Sequence, residues 1–380
     1  MRESPNIQRD TATAPPAPAT EPPSDRPADQ RHFPCGQCGA QLSFKPGADA
    51  LECPYCGHVN PIARAAGAID ELDFSEALRR MEGAEVHEER SAVRCGGCGA
   101  EIDPPPGLTS FACPFCGDNI VATAVSRRLI KPKSVLPFHI VRDDARARFG
   151  KWLRTRWFAP NDLKRRANAQ DRLQGVYVPY WTYDCDTTSQ YTGLRGKHYW
   201  VTVGSGKNRR RARRTRWRPA AGTVRLRFDD LLVLASRSLP GKHAQALEPW
   251  DLNNLTPYQD DYLSGFRAES YQIDLVEGFG VAQQIMDAAI RQQVRRDIGG
   301  DEQQIHSLST RHANITFKHI LLPVWLSAYR YRGKVYRFVV NARSGEVQGE
   351  RPYSWIKITL TVLTALSAVG AAAWLIAQHT

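Results

Sequence analysis

Apolar and polar residues recur along the chain with two periods, which predict helices in some segments and strands in others. A helical period predicts three amphipathic helices, over residues 73–82, 143–158 and 279–298. Alternation at Tyr336, Phe338 and Val340 predicts a half-buried strand, and the polar segment 341–345 predicts the hairpin turn after it. Regular structure of both kinds is therefore expected in one chain.

Two similar motifs follow two of the predicted helices. Val-Pro-Tyr-Trp occupies residues 178–181 and Leu-Pro-Val-Trp occupies residues 322–325, and a Gly-Lys strand follows each of them. This repetition predicts an α+β domain over 128–354, built from two diverged halves that each join a helix to antiparallel strands. Residues 1–32 are rich in Pro and Ala and have few large apolar side chains, so we predict a disordered arm.

Eight of the nine cysteines form four Cys-x-x-Cys pairs, and the second quartet repeats the first at an offset of sixty residues. Two such pairs with a short spacer are typical of a tetrahedral zinc site. The alternative, a disulfide framework, is disfavoured because no secretory signal precedes the domain. We predict zinc ribbons at 33–60 and 93–122, a helical linker at 61–92, and two structural Zn²⁺ ions. The ligands are Cys35, Cys38, Cys53 and Cys56, and then Cys95, Cys98, Cys113 and Cys116.

The net charge of +12 is local, because eight Lys or Arg residues and no acid lie within residues 207–218. We read this segment as the tip of a hairpin that contacts anionic lipid or nucleic acid, with simple solvation as the alternative. The predicted contact residues are Lys207, Arg209, Arg210, Arg211, Arg213, Arg214, Arg216 and Arg218.

The last segment, 358–377, contains no charged residue, which suits a bilayer core about 30 Å thick. A buried helix is the competing interpretation. Arg351 and Lys357 precede the run, and Trp355 and Trp374 flank it, so we predict a single transmembrane helix at 356–377. The positive flank predicts a tail-anchored protein of the cytoplasmic membrane whose N-terminal bulk lies in the cytoplasm. Such an anchor would make lipid the favoured partner of the basic segment.

The sequence favours a protein without enzymatic activity. Zinc held by four thiolates has no open position for substrate. The segment 204–208 resembles a phosphate-binding loop, but Val201 and Asn208 stand where that motif needs a glycine and a hydroxyl residue. We therefore expect no nucleotide partner.

The residues also resemble a family. The paired ribbons, the segments VPYWTYD at 178–184 and LLPVWLSAYRYRGKVYRFVVNARSGEV at 321–347, and the C-terminal apolar run resemble bacterial membrane proteins labelled transcription factor IIB-type zinc ribbon proteins. Some relatives carry the label primosomal protein N′ (replication factor Y), superfamily II helicase. This chain lacks the Walker A loop that a helicase needs. The resemblance, which covers roughly residues 33–377, implies a membrane-attached, zinc-stabilised protein that recruits partners.

Two functional hypotheses follow from these observations. The first is a membrane-anchored zinc-ribbon adaptor that presents a cytoplasmic binding platform to a partner protein, which the sequence does not identify. The alternative is a membrane-tethered nucleic-acid-binding protein without helicase activity.

Overall fold

Three unusually long strands form the body of the protein in the computed structural model. The structure describes residues 33–63, 67, 69–82, 87–104, 110–121, 125–160, 173–206, 209–331 and 334–379. The predicted disordered arm 1–32 and Lys207 lie outside this set. The long strands are β11 (Gln174–Val203), β12 (Arg210–Leu234) and β15 (Glu302–Tyr331).

Shorter elements surround these strands. The first ribbon contains β1 (Ser43–Phe44), β2 (Ala50–Glu52) and β3 (Val59–Pro61), and the linker contains β4 (Leu72–Asp73) and α1 (Phe74–Glu82). The second ribbon region contains β5 (His87–Arg94), β6 (Glu101–Ile102), β7 (Ser110–Ala112), β8 (Asn119–Val121) and β9 (Val125–Ile130). The remaining strands are β10 (Ser134–Val135), β13 (Thr256–Pro257), β14 (Arg267–Ala268), β16 (Lys334–Asn341) and β17 (Val347–Gly349). The remaining helices are α2 (Arg142–Arg154), α3 (Gly241–Gln245), α4 (Leu275–Ile298) and α5 (Trp355–His379), with short 3-10 turns at Leu252–Asn254 and Asp260–Leu263.

The central sheet has the order β12-β11-β15 and its long strands are antiparallel. Val178 of β11 pairs with Leu322 of β15, and these are equivalent residues of the two Pro-Tyr-Trp-like motifs. The pair therefore lies on an approximate two-fold axis that relates the halves. The same axis relates two short strands. Strand β14 pairs in parallel with Val176 and Tyr177, and β10 pairs in parallel with the equivalent residues of β15.

Each half fixes the helix of the other half through one tryptophan. Trp181 Nε1 donates to the carbonyl of Ile273 at 2.9 Å, and Ile273 stands two residues before α4. Trp325 Nε1 donates to the carbonyl of Ile140 at 2.8 Å, and Ile140 stands two residues before α2. Each bond occupies a backbone acceptor that would otherwise lack a partner, which costs about 1–3 kcal/mol.

Helix α4 covers one face of the long sheet. The buried residues of α4 recur every three or four positions and pack on that face: Leu275, Phe279, Ala282, Met286, Ile290, Val294 and Ile298. The helix begins four residues earlier than predicted, because the Asp274 carboxylate accepts from the Glu277 N–H at 2.8 Å. It ends as predicted at Gly299 and Gly300, which adopt positive φ of 64° and 82°.

The linker between the ribbons is attached to the sheet. Strand β4 pairs with Thr316 and Phe317 of β15. The predicted helix is confirmed as α1, and the Asp73 carboxylate caps it by accepting from the Glu76 N–H at 2.7 Å. Phe74 is buried, with its ring centroid 4.9 Å from that of Phe279. The linker therefore adds to the core and does more than separate two modules.

A cluster of charged side chains fixes the start of β4. Lys318, almost fully buried, lies 3.1 Å from Glu71 and 2.6 Å from Asp230. The Asp184 carboxylate accepts from the Asp230 N–H at 2.6 Å, at a bulge where β11 changes register against both neighbours. Burial and a hydrogen bond with Glu71 raise the pKa of Asp184 to about 6. The same carboxyl–carboxyl bond lowers the pKa of Glu71 to about 2.

The predicted C-terminal membrane span requires correction. Apolar residues of α5, among them Leu360 and Leu363, are exposed. Yet within the part of the chain that the structure describes, no helix combines the length and apolar character needed to cross a membrane. On this criterion the transmembrane helix at 356–377, the tail anchor and the placement in the cytoplasmic membrane are wrong.

The predicted fold class changes with that correction. The expected antiparallel strands are segments of strands up to 30 residues long, so the protein is mostly sheet. The sequence motifs around Trp181 and Trp325 do not mark where strands begin. They lie within long strands because the flanking polar segments alternate on a solvated face and remain extended.

Candidate metal centres and the basic arm

Four similar cysteine turns build the two metal centres. In each turn the glycine after the second cysteine adopts a positive φ between 72° and 78°. The N–H of that glycine donates to the carbonyl of the first cysteine at 2.8–3.0 Å. The glycines are Gly39, Gly57, Gly99 and Gly117. The turn shape therefore follows directly from the repeated Cys-x-x-Cys-Gly pattern.

The turns bring the eight predicted ligands together as two quartets. In each quartet all four sulfur atoms lie within 4.8 Å of one another. The Cys35–Cys56 and Cys38–Cys53 sulfur pairs are 3.6 Å and 3.5 Å apart, and the Cys95–Cys116 and Cys98–Cys113 pairs are 3.5 Å and 3.6 Å apart. A tetrahedron with Zn–S bonds of about 2.3 Å has edges of about 3.8 Å. The donor sets therefore fit two structural Zn²⁺ ions, as predicted.

The thiols of a quartet do not share one pKa. Hydrogen bonds from the backbone N–H groups of Cys56 and Tyr55 lower the pKa of Cys53 to about 6. In the second quartet a hydrogen bond from Cys113 lowers the pKa of Cys98 to about 5, and the same bond together with burial raises the pKa of Cys113. At least one thiolate per quartet is thus favoured before metal binds, and in the first quartet backbone hydrogen bonds from Gln37 and Cys38 lower the pKa of Cys35 as well. Zinc must displace protons from the others.

The two centres differ in exposure. Cys38 and Cys56 of the first ribbon are exposed, and Tyr55 beside them is 83% exposed. In the second ribbon Phe115, which is equivalent to Tyr55, is fully buried, and its carbonyl accepts from Arg337 Nε at 2.9 Å. The second cysteine turn of the second ribbon is thus buried in the protein, whereas the first ribbon presents both of its cysteine turns to solvent.

Strands β11 and β12 extend beyond the sheet as a two-stranded ribbon. The last pair between β11 and β15 is Gly196 with Glu302, but β11 and β12 continue from Lys197–Arg216 to Val203–Arg210. We call residues 197–203 and 210–216 the basic arm. Seven residues per strand at about 3.3 Å give the arm a length of roughly 23 Å. Residues 195–218 contain ten Lys or Arg and no acid.

The basic residues are divided between two faces. Side chains alternate along a strand, and directly paired residues share a face. Tyr191, whose hydroxyl donates to Asp297 of α4 at 2.6 Å, marks the face on the α4 side. We call this the pocket face, and within the arm and at its base it carries Arg195, Lys197, Tyr199, Arg210, Arg214, Arg216 and Arg218. The far face carries His198, Trp200, Arg211, Arg213 and Thr215.

The faces differ in how their charge is balanced. On the far face, His198 Nε2 lies 2.6 Å from Glu302 Oε1, and Thr215 donates to the same oxygen at 3.3 Å. The hydrogen bond from His198 lowers the pKa of Glu302. On the pocket face the Arg216 guanidinium lies 5.2 Å from the centroid of the Tyr199 ring. An open cavity of about 340 Å³ lies there, lined by Arg195, Lys197, His198, Tyr199, Arg216 and Arg218.

The predicted contact residues therefore form a surface, but the prediction named only one strand of it. The arginines at 209, 210, 211, 213, 214, 216 and 218 are exposed, and Lys207 lies outside the described residues. The sequence reasoning missed Arg195, Lys197 and Tyr199, which stand opposite Arg218, Arg216 and Arg214. The sequence could have indicated these cross-strand pairs if residues 195–203 and 210–218 had been aligned as a hairpin whose turn contains the glycines at 204 and 206.

Comparisons with known proteins support the metal centres. Residues 91–125 match the family model described as FORGETTER1 second zinc ribbon domain, so a zinc-ribbon domain is present. The chain is also 25% identical over 327 residues to a protein of Bacillus subtilis (strain 168) named "Uncharacterized protein YdjG", which covers 86% of this chain and 91% of that protein. No solved structure matches. The zinc-ribbon part of the resemblance drawn from the sequence is supported, and its tail-anchored membrane part is not.

Proposed function

We propose that this protein is a non-enzymatic nucleic-acid-binding protein that engages its ligand with the basic arm. The observation that carries the proposal is that the arm projects beyond the end of β15 and has exposed arginines on both faces. Phosphate neutralisation by Lys and Arg supplies most sequence-independent affinity for nucleic acid. The zinc centres stabilise the body from which the arm extends.

The two aromatic side chains of the arm favour nucleic acid over other polyanions. Trp200 is 60% exposed and Tyr199 is 37% exposed, each with an arginine guanidinium within 6 Å of its ring centroid. Exposed rings beside cations provide stacking surfaces for bases. The sequence hypothesis that preferred lipid depended on a membrane anchor close to the arm.

The test compares the full chain with a variant whose residues 197–216 are replaced by Asn-Gly, a two-residue hairpin turn. We expect at least about tenfold weaker binding to single-stranded and duplex DNA at matched low salt, because eight cations are lost. The salt dependence of the remaining affinity should also be smaller. Fluorescence anisotropy with labelled oligonucleotides measures both quantities.

The matched control changes Arg225 and Arg227 to Gln. Both are exposed on β12 but lie outside the arm, so DNA affinity should change less than threefold. Retention of two zinc ions per chain shows that each variant is folded. DNA binding that survives removal of the arm, or that is weakened as much by the control, contradicts the proposal.

The adaptor hypothesis is supported by a different observation and is a second candidate function. The turn around Tyr55 in the first ribbon is exposed, and the equivalent turn of the second ribbon is covered by the protein itself. Exposed tyrosines are favoured contacts at protein interfaces. A Tyr55→Ala variant that loses a co-purifying protein but keeps both zinc ions and DNA binding would favour the adaptor.

A further inference from the structure

Like charges are paired across the base of the arm. Arg195 lies directly opposite Arg218, and Lys197 lies directly opposite Arg216. Directly opposed like charges on one face of an antiparallel pair are destabilising. Two successive pairs of this kind therefore weaken the sheet unless an anion lies between them.

The protein does not supply that anion among the residues that the structure describes. Arg195, Lys197, Arg216 and Arg218 have no ion pair with an acidic side chain within the described ranges. Two acids lie nearby. The Asp301 carboxylate accepts from the backbone N–H of His198 at 2.7 Å, and Glu302 pairs with Gly196 and engages His198 and Thr215. The cavity of about 340 Å³ on the pocket face is lined by these same four cations, by His198 and by Tyr199.

We infer that this cavity is a binding site for consecutive phosphate groups, and that it fixes a nucleic-acid strand at the base of the arm. The inference rests on the proposed function for the source of the phosphates. Arginine guanidinium groups recognise phosphate oxygens through paired N–H donors, and lysine adds a point charge. The Tyr199 ring beside Arg216 is placed to stack the base that follows the bound phosphates.

The cavity differs from the rest of the arm in a testable way. The affinity of a diffuse electrostatic surface for nucleic acid depends on how many cations the arm carries and not on which face of the arm carries them. A site depends on the four cations that line it. Two variants that each remove two positive charges, one from each face of the same hairpin, therefore separate these descriptions.

The experiment uses the full chain with its zinc bound and compares Arg195→Gln/Arg218→Gln on the pocket face with Arg211→Gln/Arg213→Gln on the far face. The probes are a labelled oligothymidylate, followed by anisotropy, and tripolyphosphate, followed by calorimetry. We expect the pocket-face variant to lose at least about tenfold in oligonucleotide affinity and the far-face variant at most about threefold. Arg195 packs beside Gly299 and Gly300, so the single variant Arg218→Gln serves if the double variant fails to fold.

The tripolyphosphate titration identifies the source of the phosphates. Competition between tripolyphosphate and the oligonucleotide for the wild-type cavity would show a site that accepts either source. A selective loss of oligonucleotide binding without competition would restrict the site to the nucleic-acid backbone.

Equal losses for the two double variants would overturn the site while leaving the proposed function intact. Tripolyphosphate binding that requires Arg218, in a protein that binds no oligonucleotide, would support the site and refute the proposed function. If neither probe binds, both are refuted.

Discussion

At the scale of single residues, the buried cluster around Asp184 has the clearest chemical consequence. Asp184 is 8% exposed and forms hydrogen bonds with the Asp230 N–H and with Glu71. Its pKa of about 6 in the folded protein exceeds the value of about 3.9 expected for an unfolded chain. The folded state therefore holds the Asp184 proton more tightly. Ionisation of Asp184 reduces stability as the pH rises from about 4 to about 6.

We expect Asp184→Asn to stabilise the protein at pH 7 by about 1–2 kcal/mol, because asparagine resembles the protonated acid and keeps both hydrogen-bonding roles. The lowered pKa of Glu71 has the opposite effect, because ionised Glu71 stabilises the folded state. That stabilisation is lost only as the pH falls from about 4 to about 2. Urea unfolding at pH 4.5 and pH 7 should show a smaller pH dependence for the variant. Asp229→Asn, an exposed change of equal charge, is the control, and an equal gain from it would refute this account.

The sequence could not predict this cluster. Glu71 lies in the linker, whereas Asp184, Asp230 and Lys318 lie on three different long strands. Only the pairing of those strands brings the four residues together, and the hydrophobic periodicity of the local sequence does not indicate which strands pair. The cysteine quartets were predictable because each forms within about 22 residues of chain from turns that carry their own glycine signal.

At the scale of elements, the two zinc ribbons should release metal at different rates. The first has two exposed ligands, Cys38 and Cys56, while the second is buried except for the half-buried Cys98. We expect a chelator to remove one zinc equivalent at least about tenfold faster than the other, because ligand exchange requires access to the sulfurs.

A colorimetric chelator assay measures the two phases. Cys53→Ser should leave about one zinc equivalent per chain and abolish the fast phase. Two equivalents released at one common rate would contradict the difference in burial. A variant that loses both metals would show instead that the ribbons fold as one unit.

The strands were harder to predict than the helices. The periods of α1, α2 and α4 placed those helices to within about four residues, since each buries one face on a neighbour. The length of the strands around Trp181 and Trp325 could not be predicted, because only a short segment of each strand is buried. Their solvent-facing continuations consist of Thr, Ser, Gln and Arg, which alternate with small or aromatic residues and carry little hydrophobic signal.

At the scale of the whole molecule, stability should decrease along the long sheet from the two-fold axis to the arm. Strand β11 has partners on both sides near Val178, where Val176, Tyr177 and Trp181 are fully buried. Beyond Gly196 it has one partner and exposed side chains. We expect amides near Val178 to exchange with deuterium at least about a thousandfold more slowly than those of residues 197–203.

Mass spectrometry of peptides after hydrogen–deuterium exchange tests this gradient. A saturating oligonucleotide should slow exchange in the arm and leave the peptide that contains Val178 unchanged. Uniform protection along β11 in the free protein would show that the arm is stabilised by contacts outside the described structure.

The hydrogen bond from each half's tryptophan to the other half also constrains the order in which the chain can fold during synthesis on the ribosome. Among the described residues, the donor to the Ile140 carbonyl before α2 is Trp325, and β11 pairs along its second edge with β15. The first half thus leaves the exit tunnel long before its partners are synthesised. It must wait, with one edge of β11 uncovered, until nearly the whole chain has emerged. A nascent chain of this kind is exposed to strand-edge aggregation while residues 204–331 are synthesised, about a third of its length, which makes a holding chaperone more useful to it than to a protein that folds half by half.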